Sequence, residues 1–169
     1  MSPRPRRWPG VLLDANVLID FLELDPGLLP LLVAAHDIVV VPDVVVDEVE
    51  ALDEERARRV LGLTIEHATA DDVREAGGRR WGLSFVDLVC LSIARRRALA
   101  CVTNDVALRR ACGKAGVEVA WGLEALERLA EGGLLPVEEA IRHARQLVAL
   151  AGGRLRPEMV SEFERRLGR

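Results

Sequence analysis

VLLDANVLID, residues 11–20, sets Asp14 at the end of an apolar run and Asn16 two residues later, before the chain turns apolar again. An apolar run that ends on a carboxylate and passes into a helical pattern over 17–24 reads as a buried strand handing over to a helix. The same grammar recurs along the chain. Short β-rich runs at 11–13, 38–41, 63–65, 99–102 and 117–120 alternate with helical patterns at 17–24, 28–35, 43–60, 70–80, 84–97 and 105–114. Continuous apolar runs separated by helices are what a parallel sheet covered on both faces requires. Repeated βα units imply right-handed crossovers and a doubly wound sheet, with its ligand crevice outside the carboxyl ends of the strands. The fold class expected is α/β, three α/β/α layers around a central parallel sheet of about five strands.

After residue 121 the strand signal stops. Three amphipathic helices follow, carried by Leu123, Leu126 and Leu129, then Val137, Ile141, Ala144, Val148 and Ala151, then Leu155, Met159, Phe163 and Leu167. Gly132-Gly133 and Gly152-Gly153 punctuate them. The expected division is a domain over 1–121 and a helical extension over 122–169, packed on or beside it.

The 169 residues are half hydrophobic, enough for one well-filled core. With 23 basic and 27 acidic residues the formal net charge is −4, which excludes the global positive field of a strongly basic nucleic-acid binder. Any anionic partner must meet a local patch. Lys114 is the only lysine, so such a patch would be arginine, whose guanidinium fork binds phosphate in bidentate fashion. Arg58-Arg59, Arg79-Arg80, Arg95-Arg96-Arg97 and Arg109-Arg110 are the candidates, although a solvated helix face is the favoured reading of each. Cys90, Cys101 and Cys112 lie in apolar surroundings without metal or disulfide spacing, which fits a reducing cytoplasm. The basic start MSPRPRRWPG precedes too short an apolar run for a signal peptide, and no stretch is long enough to span a membrane.

Four acids stand out. Asp14 sits where the fold rule places ligands, although an aspartate there also starts a helix as its N-cap. On a helical wheel Glu48 falls between Val44 and Leu52, in the arc of Val45 and Val49, so it is aimed into the packed face or reaches water at its rim. Asp87 opens the apolar helix SFVDLVCLSIARR, where Ser84 and Asp87 also have the form of a capping box. Asp105 follows LACVTN and precedes VALRRA, so it too is either a helix cap or a site residue.

Taken together, strand ends and first helical turns bring all four toward one crevice. Two unit charges about 4 Å apart repel by roughly 4 kcal/mol at an effective dielectric near 20, so something positive must hold them. Oxygen-only ligands favour Mg²⁺ or Mn²⁺ over zinc or copper. Such a site beside arginines suits phosphodiester cleavage without a histidine or cysteine nucleophile. His36, His67 and His143 show no ligand spacing.

The segments LLDANVLID around Asp14, VVVPDVVVDEVEAL around Glu48, LSFVDLVCLSIARR around Asp87 and VTNDVALRRA around Asp105 resemble, in that order, the PIN-domain family of metal-dependent nucleases, and within it the VapC-like toxin ribonucleases. The resemblance spans residues 11–120. It implies an acidic pocket for Mg²⁺ or Mn²⁺ and cleavage of single-stranded RNA by metal-activated water. Asp14, Glu48, Asp87 and Asp105 become catalytic and metal-site residues, with Asp14 and Asp87 as principal ligands and Thr103 and Asn104 in support. Glu48 would ligate or orient water, Asp105 would complete the site, and Arg109 and Arg110 could contact phosphates. Toxin-type members pair with a small antitoxin that inserts into the active-site groove, and they commonly form homodimers. The tail beyond 121 departs from compact toxins and looks like the helical segment of another PIN branch.

The expected function is thus a Mg²⁺- or Mn²⁺-dependent cytoplasmic endoribonuclease, the toxin of a type II toxin–antitoxin pair. The alternative is a catalytically weak PIN-fold module that binds RNA or protein. An aspartyl-nucleophile phosphatase is disfavoured, because DAN lacks the second aspartate two residues after the first.

Overall fold

Trp8 and residues 10–78 and 82–168 are described by the computed structural model, and the Arg79-Arg80 pair lies outside them. Five strands form one sheet: β1 (Gly10–Leu13), β2 (Ile38–Pro42), β3 (Thr64–Glu66), β4 (Ala100–Val102) and β5 (Val119–Ala120). Every pairing is parallel, in the order β3-β2-β1-β4-β5. The strands are short and apolar, and β1 and β4 are buried throughout, as a sheet covered on both faces demands. The α/β/α arrangement expected from the sequence is the one observed.

The order fixes where a site belongs. From β1 the chain first builds outward through β2 and β3, then returns to add β4 and β5 on the other side. The direction therefore reverses between β1 and β4, and a doubly wound sheet opens its crevice at that reversal. Leu13 of β1 lies beside Val102 of β4, so Asp14 and Thr103 leave the sheet side by side.

Five helices of the α/β unit match the expected spans within two residues: α1 (Ala15–Leu24), α2 (Leu28–Ala35), α4 (Ala70–Gly78), α5 (Phe85–Arg96) and α6 (Val106–Lys114). The expected helix over 43–60 is a correction. It breaks into α3 (Asp43–Glu48) and a single π-helical turn over Arg56–Val60. β-branched valines at 44, 45, 46 and 49 weaken the helix, and Asp53 supplies a fresh cap, its Oδ1 accepting from the Arg56 amide at 2.7 Å.

The tail forms α7 (Gly122–Glu131), α8 (Val137–Leu150) and α9 (Pro157–Leu167). α7 packs on α2, α8 on α1, and α9 on both α7 and α8. Leu126, Leu147 and Phe163 belong to the same apolar cluster as Leu12 and Phe21, so the tail shares the core of the sheet unit. On α8 the buried face is centred on Ala140, Ala144 and Leu147, one step round from the expected stripe, and Val137 stays 38 % exposed. Wedging α8 among α1, α7 and α9 explains the shift, because three neighbours bury a broader arc than one.

A polar tie joins tail to sheet unit. Asp20 on α1 is buried, and Arg154, in the α8–α9 connection, donates to both its oxygens at 3.1 and 3.2 Å. Asn104 accepts from the Gly122 amide at 2.9 Å and leans its own amide toward Asp20. The fit is close at Gly122, where a Cβ would stand 3.2 Å from the Asn104 side chain and press on it. Burial raises the Asp20 carboxyl above its ordinary range against the pull of Arg154.

Candidate functional site

Asp14 is 1 % exposed and ends β1. Its Oδ1 accepts from the Val17 amide at 2.8 Å and caps α1, while its Oδ2 accepts the hydroxyl of Thr103. The cap role of Asp14 thus uses one oxygen, and the other is held by Thr103. Burial pushes its carboxyl up to about 6, the Thr103 and Val17 bonds oppose that rise, and the charges of Asp87 and Asp105 add to it. A carboxyl raised by burial and by two like charges at a sheet's switch point marks a candidate functional site.

Asp105 caps α6, its Oδ1 taking the Leu108 amide at 2.7 Å, and its own amide donates to the Thr103 hydroxyl oxygen at 3.0 Å. Thr103 thus stands between Asp14 and Asp105 and holds both. Asp87 forms the capping box foreseen with Ser84: its Oδ2 accepts the Ser84 amide at 3.0 Å, and its amide donates to Ser84 Oγ at 3.1 Å. All three aspartates lie at the N-termini of α1, α5 and α6, whose positive dipole ends offset part of the crowded negative charge.

Glu48 departs from its expected placement. The wheel that aimed it into a packed face assumed a helix running on to Leu52, and α3 ends at Glu48 itself. Its side chain is exposed, while Val49 and Leu52 fill the core in the broken segment. There Glu48 lines a cleft of about 430 Å³ with Ile19, Glu23 and Arg56. The buried Cys90 thiol, one turn after Asp87, is pushed up by burial first and then by Asp14, Asp87, Cys112 and Glu48. Asp14, Asp87 and Glu48 thus all act on that thiol, and Asp87 and Asp105 both act on Asp14, with three of the acids at helix N-termini and Glu48 on a rim.

Among the described residues no three His, Cys, Asp or Glu stand close enough to share one ion as placed. The donor set nonetheless fits a hard divalent cation: every candidate ligand is a carboxylate, and the buried Asp14 meets two like charges with no ion pair among the described residues. The histidines serve elsewhere. His36 stacks on Trp8, His67 meets Asp43 at 3.1 Å and His143 faces Asp25.

The arginine runs divide. Arg95 binds Glu75, Arg96 binds Asp72 and Glu66, and Arg97 binds Glu66, all at the end of α5 remote from Asp87. Arg58 and Arg59 pair with Glu54 and Glu55 one turn back. For these two runs the solvated, structural reading holds. Arg109 and Arg110 stand apart: Arg109 lies over the Trp121 ring, 3.6 Å from its centroid, and donates to the Thr103 carbonyl at 3.3 Å. The sequence reading missed Asp20, Trp121, Arg154 and Arg156 as neighbours of this region. Only Asp20, a carboxylate within a mostly apolar helix, and the isolated Trp121 offered a signal.

Residues 11–114 match the family profile described as PIN domain, and the chain belongs to the PIN-domain family. PIN domains are in general nucleases that use divalent metals, so the class of chemistry is nuclease-type. No curated protein matches the chain. The helices α7–α9 lie beyond the matched residues, and no described helix is long and apolar enough to cross a membrane.

Proposed function

We propose that the protein is a Mg²⁺- or Mn²⁺-dependent endoribonuclease, the toxin of a type II toxin–antitoxin pair, with Asp14, Glu48, Asp87 and Asp105 as its metal-site residues. The observation that carries the reading is Asp14: a carboxylate buried at the β1–β4 reversal, pressed by Asp87 and Asp105, in a PIN-family chain.

The chain's own residues divide the work. Asp14 and Asp87 present the principal oxygens, Asp105 closes the pocket from α6, and Glu48 orients water from the rim. Thr103 holds Asp14 and Asp105 in one arrangement, which lowers the cost of ordering them when a cation arrives. A bound divalent cation would polarise the phosphoryl oxygen and make water nucleophilic at neutral pH. Arg109 and Arg110, on the helix that Asp105 caps, offer phosphate contacts. Within the same reading, the cellular partners are a small antitoxin and a second copy of the chain, in the cytoplasm.

A second reading, a PIN-fold binding module, draws on one fact: Asp87 and Asp105 each commit an oxygen to capping their own helix. Cleavage of a single-stranded RNA separates the two. The nuclease cuts with Mg²⁺ or Mn²⁺, stops in EDTA and is lost in Asp14→Asn with the fold intact. Equal activity in Asp14→Asn removes the metal-site assignment, and no cleavage with any divalent ion leaves the binding module.

A further inference from the structure

The tail does more than cover α1 and α2. Between α6, Trp121 and the α8–α9 connection runs an open groove of about 810 Å³, lined by Arg109, Arg110, Trp121, Arg154, Arg156 and Glu162 among others. Four arginines to one acid is a strong local excess in a chain of net charge −4. The four are not equivalent. Arg109 is pinned to Trp121 and to the Thr103 carbonyl, and Arg154 is clamped on Asp20. Arg110 and Arg156 are exposed, and their guanidinium groups make no hydrogen bond or ion pair with any described residue. They stand on opposite walls, Arg110 on the sheet unit and Arg156 at the start of α9.

The contrast with the other arginine runs decides what the groove is for. Arg58, Arg59, Arg95, Arg96 and Arg97 all have acidic partners, whereas here two guanidinium groups are left facing one space. Unpaired guanidinium forks facing one space suit the phosphates of a polyanion. The Arg109–Trp121 stack adds a flat cationic and aromatic surface on which bases pack whatever their identity. Val106, the residue next to Asp105, also lines the groove, so the groove runs along the start of α6, the helix that Asp105 caps.

We propose that this groove carries single-stranded RNA to the acids, with backbone phosphates on Arg110 and Arg156, so that the C-terminal helices form one wall of the substrate track. The proposal rests on the ribonuclease reading for the identity of the polymer.

Fluorescence anisotropy with a fluorescein-labelled single-stranded oligouridylate tests it, on the full chain carrying Asp14→Asn in EDTA so that nothing is cut. Arg110→Ala and Arg156→Ala are each expected to weaken binding about three- to tenfold. Each should also make the dependence of log affinity on log salt shallower by about 0.7, the slope of one lost contact to a single strand. Arg59→Ala, on the π-helical turn, leaves both unchanged. Circular dichroism confirms that each variant is folded. An Arg156→Ala protein that binds with parental affinity and slope overturns the proposal, as does a parent that does not bind the oligomer. Failure of the nuclease reading looks different: binding remains sensitive to Arg110 and Arg156, and the wild type cuts no RNA with any divalent ion.

Discussion

Thr103 donates its hydroxyl to Asp14 across 89 positions of sequence, and the same oxygen receives the amide of Asp105. One hydroxyl therefore joins the end of β1 to the start of α6. Thr103→Val keeps the shape and removes the hydroxyl, leaving Asp14 Oδ2 and the Asp105 amide without that partner. Loss of such an outer support costs about ten- to a hundredfold in metal affinity or activity. Mn²⁺ binding and RNA cleavage should both fall by that order in Thr103→Val and largely return in Thr103→Ser. A valine variant with wild-type values would make Thr103 a packing residue only.

Asp14 also sets a pH dependence. Its folded carboxyl titrates at about 6, above the ordinary 3.8, so the stability it contributes is full below about pH 4 and is lost as pH rises through about 6. The shift corresponds to about 3 kcal/mol at most. In EDTA, urea unfolding at about pH 8 should find Asp14→Asn more stable than wild type by roughly 2 kcal/mol, with the gap closing toward about pH 4. A less stable Asn variant at about pH 8 would mean that Asp14 is not held under strain.

Asp72 works in the opposite sense. It is buried on α4 and accepts from Thr69, Ser92 and Arg96, which together hold its carboxyl down to about 2 against the cost of burial. Its contribution is therefore present above about pH 4 and lost as pH falls through about 2, a window that does not overlap that of Asp14. Asp72→Asn should cost about 2 kcal/mol at neutral pH and flatten the acid limb between about pH 4 and 2. Unfolding curves across that range check it, and an unchanged acid limb would contradict the brace.

The parallel sheet was legible because β1, β2 and β4 are short, wholly apolar and followed by polar breaks. Asp14, Asp87 and Asp105 were legible for a related reason: each marks a passage from strand or loop into helix, which sequence displays directly. Glu48 was found by an argument that the structure replaces. A helical wheel assumes an unbroken helix, and four β-branched valines with a new cap at Asp53 break this one, so the acid lies on a rim. Arg154 and Arg156 were not legible at all. They come to Trp121 only through the packing of α8 on α1 and α9 on α7, and such long-range placement leaves no local pattern.

The tail's role in the fold can be separated from its role in the groove. Arg154→Ala leaves the buried Asp20 carboxylate without its cation and should destabilise by about 2–3 kcal/mol. A chain ending at residue 121 would expose Phe21 and Leu29, along with other apolar faces of α1 and α2, and should fail to give a cooperative thermal transition. A truncated chain that melts cooperatively near the wild-type temperature would show the tail to be an independent extension.

The central claim is that Asp14, Asp87 and Asp105 form one divalent-cation site. Isothermal titration of Mn²⁺ into the wild type and into Asp14→Asn, each at about pH 5.5 and 7.5, tests it most directly. A cation must displace the proton that Asp14 holds at the lower pH, so wild-type affinity should rise with pH and binding should release a proton at about pH 5.5. Asp14→Asn should lose most of the affinity and all of that proton release. Equal Mn²⁺ binding by the two proteins at both pH values would contradict the account.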